Sequence, residues 1–147
     1  MIYWVLDCCV LENCNEENCN HEHYFNCISL LIKIKDSDGI CMDDKNQILK
    51  EYLDHIRPNT FLSKWWKLIT TTTGKMYFCS SHLPKRHIAK LSKLQFHNDD
   101  LKYVGTTYNS PDRNLVTFES DYNTEIVDYL GAECNINVLH PCNCYQI

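Results

Sequence analysis

Ile2-Tyr3-Trp4-Val5-Leu6 is an unbroken apolar run that stops at Asp7, and it constrains the fold more than any other stretch. Such a run, with no polar alternation, suits a strand buried on both faces, as in parallel sheets covered by helices. Ile40-Cys41-Met42, Leu115-Val116-Thr117-Phe118 and Ile136-Asn137-Val138-Leu139 read as further short strands, the last ending before Pro141. Helical stripes lie between them. They run through Phe25, Ile28, Leu31 and Ile32, then through Ile48, Leu49, Tyr52, Leu53 and Ile56, which stop before Pro58. Phe61, Leu62, Trp65, Trp66 and Ile69 form the next stripe, and Ile88, Leu91 and Leu94 another. The last two carry Leu101, Val104 and Tyr108, and Ile126, Val127 and Leu130.

Caps and turns punctuate these elements. Asp43-Asp44, Thr60, and Asn98 with Asp99 are placed to cap helices, Pro84 suits a first turn, and Gly131 is expected to close the final helix. The polar stretch Cys14–His23 reads as a loop, and Asp36–Gly39 and Asn109–Asp112 read as turns. Strands alternating with helices predict an α/β class, a three-layer α/β/α arrangement with a mainly parallel central sheet. At 147 residues the chain fits a single domain spanning 1–147.

Charge is divided along the chain. The net charge is −5, yet the segment 61–98 contains none of the 19 acidic residues. It holds seven of the 14 basic ones: Lys64, Lys67, Lys75, Lys85, Arg86, Lys90 and Lys93. A polyanion can lie on such a middle segment while the acidic ends hold cations; the bland alternative is a pair of solvated basic helix faces. Ten cysteines would suggest disulfides in a secreted chain. The sequence opens on Met1 with no basic leader and no apolar run long enough for a signal peptide or a membrane span. The expected setting is therefore the cytoplasm, with reduced thiols packing as small hydrophobes.

In an open parallel sheet the working groups gather at the carboxyl ends of strands. Asp7 directly follows the first strand, and Glu119, with Asp121 two residues on, follows Leu115–Phe118. Glu51 lies beside the apolar stripe of its helix, and Asp100 opens another helix. Singly, each has a bland explanation: Asp100 and Asp121 are ordinary charges at helix starts, and Glu51 is a solvated helix residue. Packed together, such carboxylates would repel and take up protons unless a cation joined them, and oxygen-only donors suit Mg²⁺ or Mn²⁺.

Four segments in order resemble the motifs of PIN-domain nucleases. Tyr3-Trp4-Val5-Leu6-Asp7-Cys8-Cys9-Val10-Leu11 is similar to the family's opening strand and Asp. Ile48-Leu49-Lys50-Glu51-Tyr52 resembles its second motif, a helix presenting Glu before an aromatic. Asp100-Leu101-Lys102-Tyr103-Val104-Gly105-Thr106-Thr107 resembles the third, and Leu115-Val116-Thr117-Phe118-Glu119-Ser120-Asp121-Tyr122 the fourth. Cys8-Cys9 replaces a polar residue common after the first Asp, and Glu119 stands where Asp is usual, which leaves Glu119 and Asp121 as alternative ligands.

The resemblance implies a PIN-like fold and a metal-dependent phosphodiester hydrolase with Asp7, Glu51, Asp100, Glu119 and Asp121 as catalytic residues. It implies one or two Mg²⁺ or Mn²⁺ ions, with Asp7 and Asp100 as direct ligands beside Glu119 or Asp121. Products would carry 5′-phosphate and 3′-hydroxyl ends, with RNA favoured over DNA. Lys64, Lys67, Lys85, Arg86, Lys90 and Lys93 would grip the backbone, with Trp65 or Trp66 as a base platform; core packing is the bland reading of the tryptophans. The partners implied range over an antitoxin, a defence-system protein and a second copy of the chain. Two readings compete: a catalytically inactive PIN-like interaction protein, and a zinc-binding module using Cys14, Cys19, His21 and His23 with Cys142 and Cys144. The spacing Cys-x4-Cys-x-His-x-His matches no closed zinc finger.

Overall fold

The computed structural model describes residues 1–15 and 20–145. Five strands, β1 (Tyr3–Leu6), β2 (Gly39–Asp43), β3 (Met76–Cys79), β4 (Asn114–Val116) and β5 (Asn137–Leu139), form one sheet in the order β3-β2-β1-β4-β5. Every pairing is parallel. The helices are α1 (Cys8–Glu12), α2 (His21–Asp36), α3 (Gln47–His55), α4 (Phe61–Thr71), α5 (Lys85–Lys93), α6 (Leu101–Asn109), α7 (Thr124–Cys134) and α8 (Pro141–Cys144). Trp4, Val5 and Leu6 are fully buried, as an apolar run at the centre of a covered sheet must be.

The layers follow from chain direction. From β1 the chain moves outward through β2 to β3, then returns across the sheet to β4 and continues to β5. Right-handed crossovers therefore put α2 and α4 on one face and α5, α6 and α7 on the other. Contacts agree: α4 packs on α2, where Trp65 Nε1 donates to the Leu31 carbonyl at 2.8 Å. On the opposite face α6 lies over β1, β2 and β4, and His87 of α5 packs its ring against Tyr108 and Tyr129. The order reverses between β1 and β4, which opens a crevice at their carboxyl ends.

Local chemistry sets the boundaries. Asp43 caps α3 with both oxygens, accepting from Gln47 N and Ile48 N. Thr60 and Ser63 form a capping box on α4. Lys75, buried, donates to the Ile34 and Asp38 carbonyls at the end of α2, so its charge belongs to that helix terminus and not to the surface. Asp38 accepts from Trp4 Nε1, Ile2 N and Lys33; burial works to raise its carboxyl, but these bonds hold it below its ordinary value.

Several expectations need correction. His21–His23 belong to α2, capped by Asn20, and not to a loop; Glu16–Cys19 lie outside the described residues. The α2 stripe is rotated: Phe25 and Ile32 are exposed, while Cys27, Leu30, Leu31 and Ile34 are buried, because α4 and α8 cover that side. β3 carried no strand expectation; it is a sheet edge whose Tyr77 and Phe78 face outward, so no buried periodicity marks it. Gly131 does not close α7, which runs to Cys134 and ends on Asn135 in the left-handed region at φ 52°. β4 ends at Val116, two residues early, which frees Thr117 and Phe118 to line the crevice. The nine described cysteines are free thiols, most of them in the core.

Candidate active site

Asp7 stands where β1 ends, beside the end of β4. Leu6 pairs with Val116, and Asp7 N donates to the Val116 carbonyl at 2.9 Å. The next residue on β4's side, Thr117, therefore meets Asp7 directly, and its hydroxyl donates to Asp7 Oδ2 at 2.8 Å. Cys9 N donates more weakly to Oδ1, at 3.4 Å. Thr117 also accepts from Glu119 N at 3.2 Å, so one hydroxyl fixes both the Asp7 carboxylate and the start of the following loop. Burial raises the Asp7 carboxyl above its ordinary value, and the bonds from Thr117 and Cys9 only partly offset this.

Tyr52 positions Glu51. It is fully buried in α3 and its hydroxyl donates to the Leu6 carbonyl, which fastens α3 to the last residue of β1. Glu51 accepts from Tyr103 Oη and pairs with Lys102 Nζ at 2.5 Å. Asp100 ends a 3-10 turn, Asn98–Asp100, and makes no capping hydrogen bond to α6. Asp121 is not a cap either, since Asn123 accepts from Ile126 N at the start of α7. Neither makes a capping hydrogen bond, while Asp100 keeps the place of a charge at a helix start.

The carboxylates feel one another. Burial first, then the charges of Asp7 and Asp121, push the Asp100 carboxyl up to about 6. Glu119 is raised by burial, and next by Asp7, Glu12 and Asp121. Glu51 adds its field to that at Asp7. All five predicted acidic residues thus share one electrostatic neighbourhood at the carboxyl end of the central strands, although four separate segments supply them. Burial and the field of Asp7 push the Cys8 thiol up to about 12 and raise that of Cys9 as well, away from the thiolate that a nucleophile needs.

The basic residues come together only in part. Lys85, Arg86, Lys90 and Lys93 share α5, whereas Lys64 and Lys67 sit on α4 in the other layer. Trp65 is buried with its indole N–H bonded to Leu31, so it is core and not a base platform; Trp66 is half-buried edge-on to Tyr52. Of the zinc candidates, Cys144 donates to the His140 carbonyl, Cys14 to the Val10 carbonyl, and Cys19 lies outside the described residues. His23 stacks on Phe118 at 4.6 Å.

Sequence reasoning missed three residues of the site as functional candidates. Thr117 orients Asp7, Lys102 neutralises Glu51, and Tyr122 brings a buried hydroxyl with no hydrogen-bond partner among the described residues. The fields of Asp7, Asp100 and Asp121 reach that hydroxyl. A signal existed for Thr117, the polar residue in an apolar strand end two places before Glu119.

For a divalent cation the donors fit in kind. They are carboxylates, raised by burial and then by one another's charge, with an unsatisfied hydroxyl nearby. Among the described residues no three His, Cys, Asp or Glu side chains converge into a ready-made cage. The arrangement matches the sparse mode of Mg²⁺, where one or two carboxylates hold an ion that keeps most of its waters. Fold and site define an α/β protein with an acidic centre at the switch point of a parallel sheet. Comparison with protein-family models, curated proteins and solved structures found no match.

Proposed function

We propose that this protein is a metal-dependent nuclease of PIN-like type that hydrolyses phosphodiester bonds, with RNA the favoured substrate. One observation supports the reading: Asp7, Glu51, Asp100, Glu119 and Asp121 lie within one another's fields near the carboxyl end of β1, with raised carboxyl groups at Asp7, Asp100 and Glu119. Four segments that resemble the PIN motifs in order supply them. When bound, Mg²⁺ or Mn²⁺ supplies Lewis-acid polarisation of the scissile phosphate and a water of lowered pKa.

The residues then divide the work. Lys102 already balances Glu51, which leaves Asp7 and Asp100, with Glu119 or Asp121, as the side chains to hold the ion. Thr117 donates to Asp7 Oδ2 and fixes the rotamer of Asp7. The basic face of α5 draws a polyanion toward a centre that would otherwise repel it. An antitoxin, a defence-system protein and a second copy of the chain remain the proposed partners.

The test is cleavage of labelled single-stranded RNA and DNA in Mg²⁺, Mn²⁺ or EDTA, with Asp7→Asn beside the wild type. Cutting that needs metal and is lost in Asp7→Asn is the expected result. Cutting that survives unchanged in Asp7→Asn and Asp100→Asn would overturn the mechanism.

A further inference from the structure

A cleft of about 440 Å³ opens beside the acidic centre, between α3, the loop after β3 and the 3-10 turn. It falls within the roughly 300–1,000 Å³ range of pockets that hold small ligands or parts of larger ones. Its position relative to the acids is fixed by sequence neighbours: Lys50 precedes Glu51, and Asn98, Asp99, Leu101 and Lys102 flank Asp100. Lys102 itself touches Glu51, so cleft and acidic centre share a wall.

The lining is chemically mixed. Leu83, Ile88 and Leu101 give an apolar floor, and Gln47, Lys50 and Ser81 give a polar wall. That wall is built before any ligand arrives. Asn109 Nδ2 donates to the Ser80 and His82 carbonyls at 2.9 and 2.7 Å, which pins the loop on both sides of Ser81. Ser81 Oγ reaches Gln47 Oε1 at 3.4 Å, tying the loop to α3. Lys102 is held by Glu51 and by the Asp99 carbonyl. Lys50 differs: it is exposed and its ammonium has no hydrogen-bond or ion-pair partner among the described residues. The cleft's one carboxylate, Asp99, is exposed and faces His97 at 3.6 Å.

We infer that this cleft seats a phosphate and its sugar from single-stranded nucleic acid, one step along the strand from the acidic centre, with Lys50 as the phosphate anchor. The inference rests on the nuclease reading for its substrate class. An uncompensated ammonium over an apolar floor suits a nucleotide, whose charge and sugar sit on opposite sides. A duplex would present its phosphates on a broad cylinder; a cleft of this volume takes a single strand. It also links the basic face of α5, through Ile88, to the acids.

Binding is measured apart from cleavage: fluorescence anisotropy of short labelled single-stranded RNA and DNA in EDTA, across a salt series. Lys50→Ala is expected to weaken binding about three- to tenfold and to flatten the salt slope by about 0.7, as loss of one phosphate contact requires. Lys35→Ala, at the far end of α2, should bind as wild type does. Wild-type affinity in Lys50→Ala, no binding by the wild type, or competition by inorganic phosphate as strong as by the oligonucleotide would each overturn the inference. Cleavage in Mn²⁺ is read in parallel. Binding that depends on Lys50 without any cutting sinks the nuclease reading alone; cutting with affinity indifferent to Lys50 sinks the cleft alone.

Discussion

Thr117 shows how one hydroxyl can govern an acidic centre. It donates to Asp7 Oδ2 and accepts from Glu119 N, so its loss frees Asp7 to rotate and loosens the loop carrying Glu119 and Asp121. Thr117→Val keeps the shape and removes the bond. Partners of this kind around metal-holding residues are worth about 10- to 100-fold in activity, and we expect that loss in kcat with KM little changed. The bond also lowers the Asp7 carboxyl, so its removal should move the acid limb of the pH–rate profile to higher pH, and Thr117→Ser should restore it. An unchanged pH profile would assign Thr117 a packing role only. The orienting bond comes from across the sheet, at the end of the neighbouring strand β4.

At the scale of elements, close approach and terminal charge decide stability. Gly105 lets α6 lie against the loop after β3; a Cβ there would sit 1.9 Å from the Ser81 carbonyl oxygen. Alanine gains up to about 1 kcal/mol of helix propensity, but a clash with backbone is costlier, since overpacking takes about 1–3 kcal/mol or more. Gly105→Ala should therefore destabilise the fold, seen as a lower denaturation midpoint, whereas propensity alone would raise it. Lys75 caps α2 through two carbonyls. Lys75→Met keeps the stem and strands both acceptors; charge-assisted bonds are worth about 1.5–3 kcal/mol each at most, and a loss of about 2 kcal/mol in chemical denaturation is expected. Oligonucleotide affinity of the folded variant should match the wild type, because this lysine never faces solvent.

Across the whole molecule the acidic centre is a destabilising element that a bound cation would relieve. Asp100 holds its proton up to about 6, well above an unfolded aspartate, and Asp7 and Glu119 are raised too. The folded state thus binds more protons than the unfolded chain between about pH 4 and 6, so stability from these groups is present at low pH and lost as pH rises through that window. Asp100→Asn should be more stable than wild type at pH 7.5 by about 1 kcal/mol after solvent screening, or about 2–4 °C in Tm, with the gap closing near pH 4. Taking the variant against wild type cancels the opposite pull of His87, which burial lowers. Mn²⁺ at a hundred times its Kd should raise the wild-type stability by about 2.7 kcal/mol and leave Asp7→Asn unmoved. Equal shifts in both proteins would place the ion elsewhere.

By itself the sequence determined the class of fold, and it put forward the members of the acidic set. A buried apolar run before Asp7 allows little but a covered parallel sheet, and local caps such as Thr60 and Asp43 act within a few residues of themselves. Strand β3 escaped because an exposed edge has no buried face to leave a period, and the α2 stripe was misjudged because α4 and α8 choose its covered side. Only the tertiary structure decided which residues serve the acids. Thr117 meets Asp7 across 110 positions, and Lys102 and Tyr103 meet Glu51 across about as many as 52, through the order β2-β1-β4 and the packing of α3 against α6. Likewise it split the basic segment between layers and buried Lys75, because right-handed crossovers send α4 and α5 to opposite faces of the sheet.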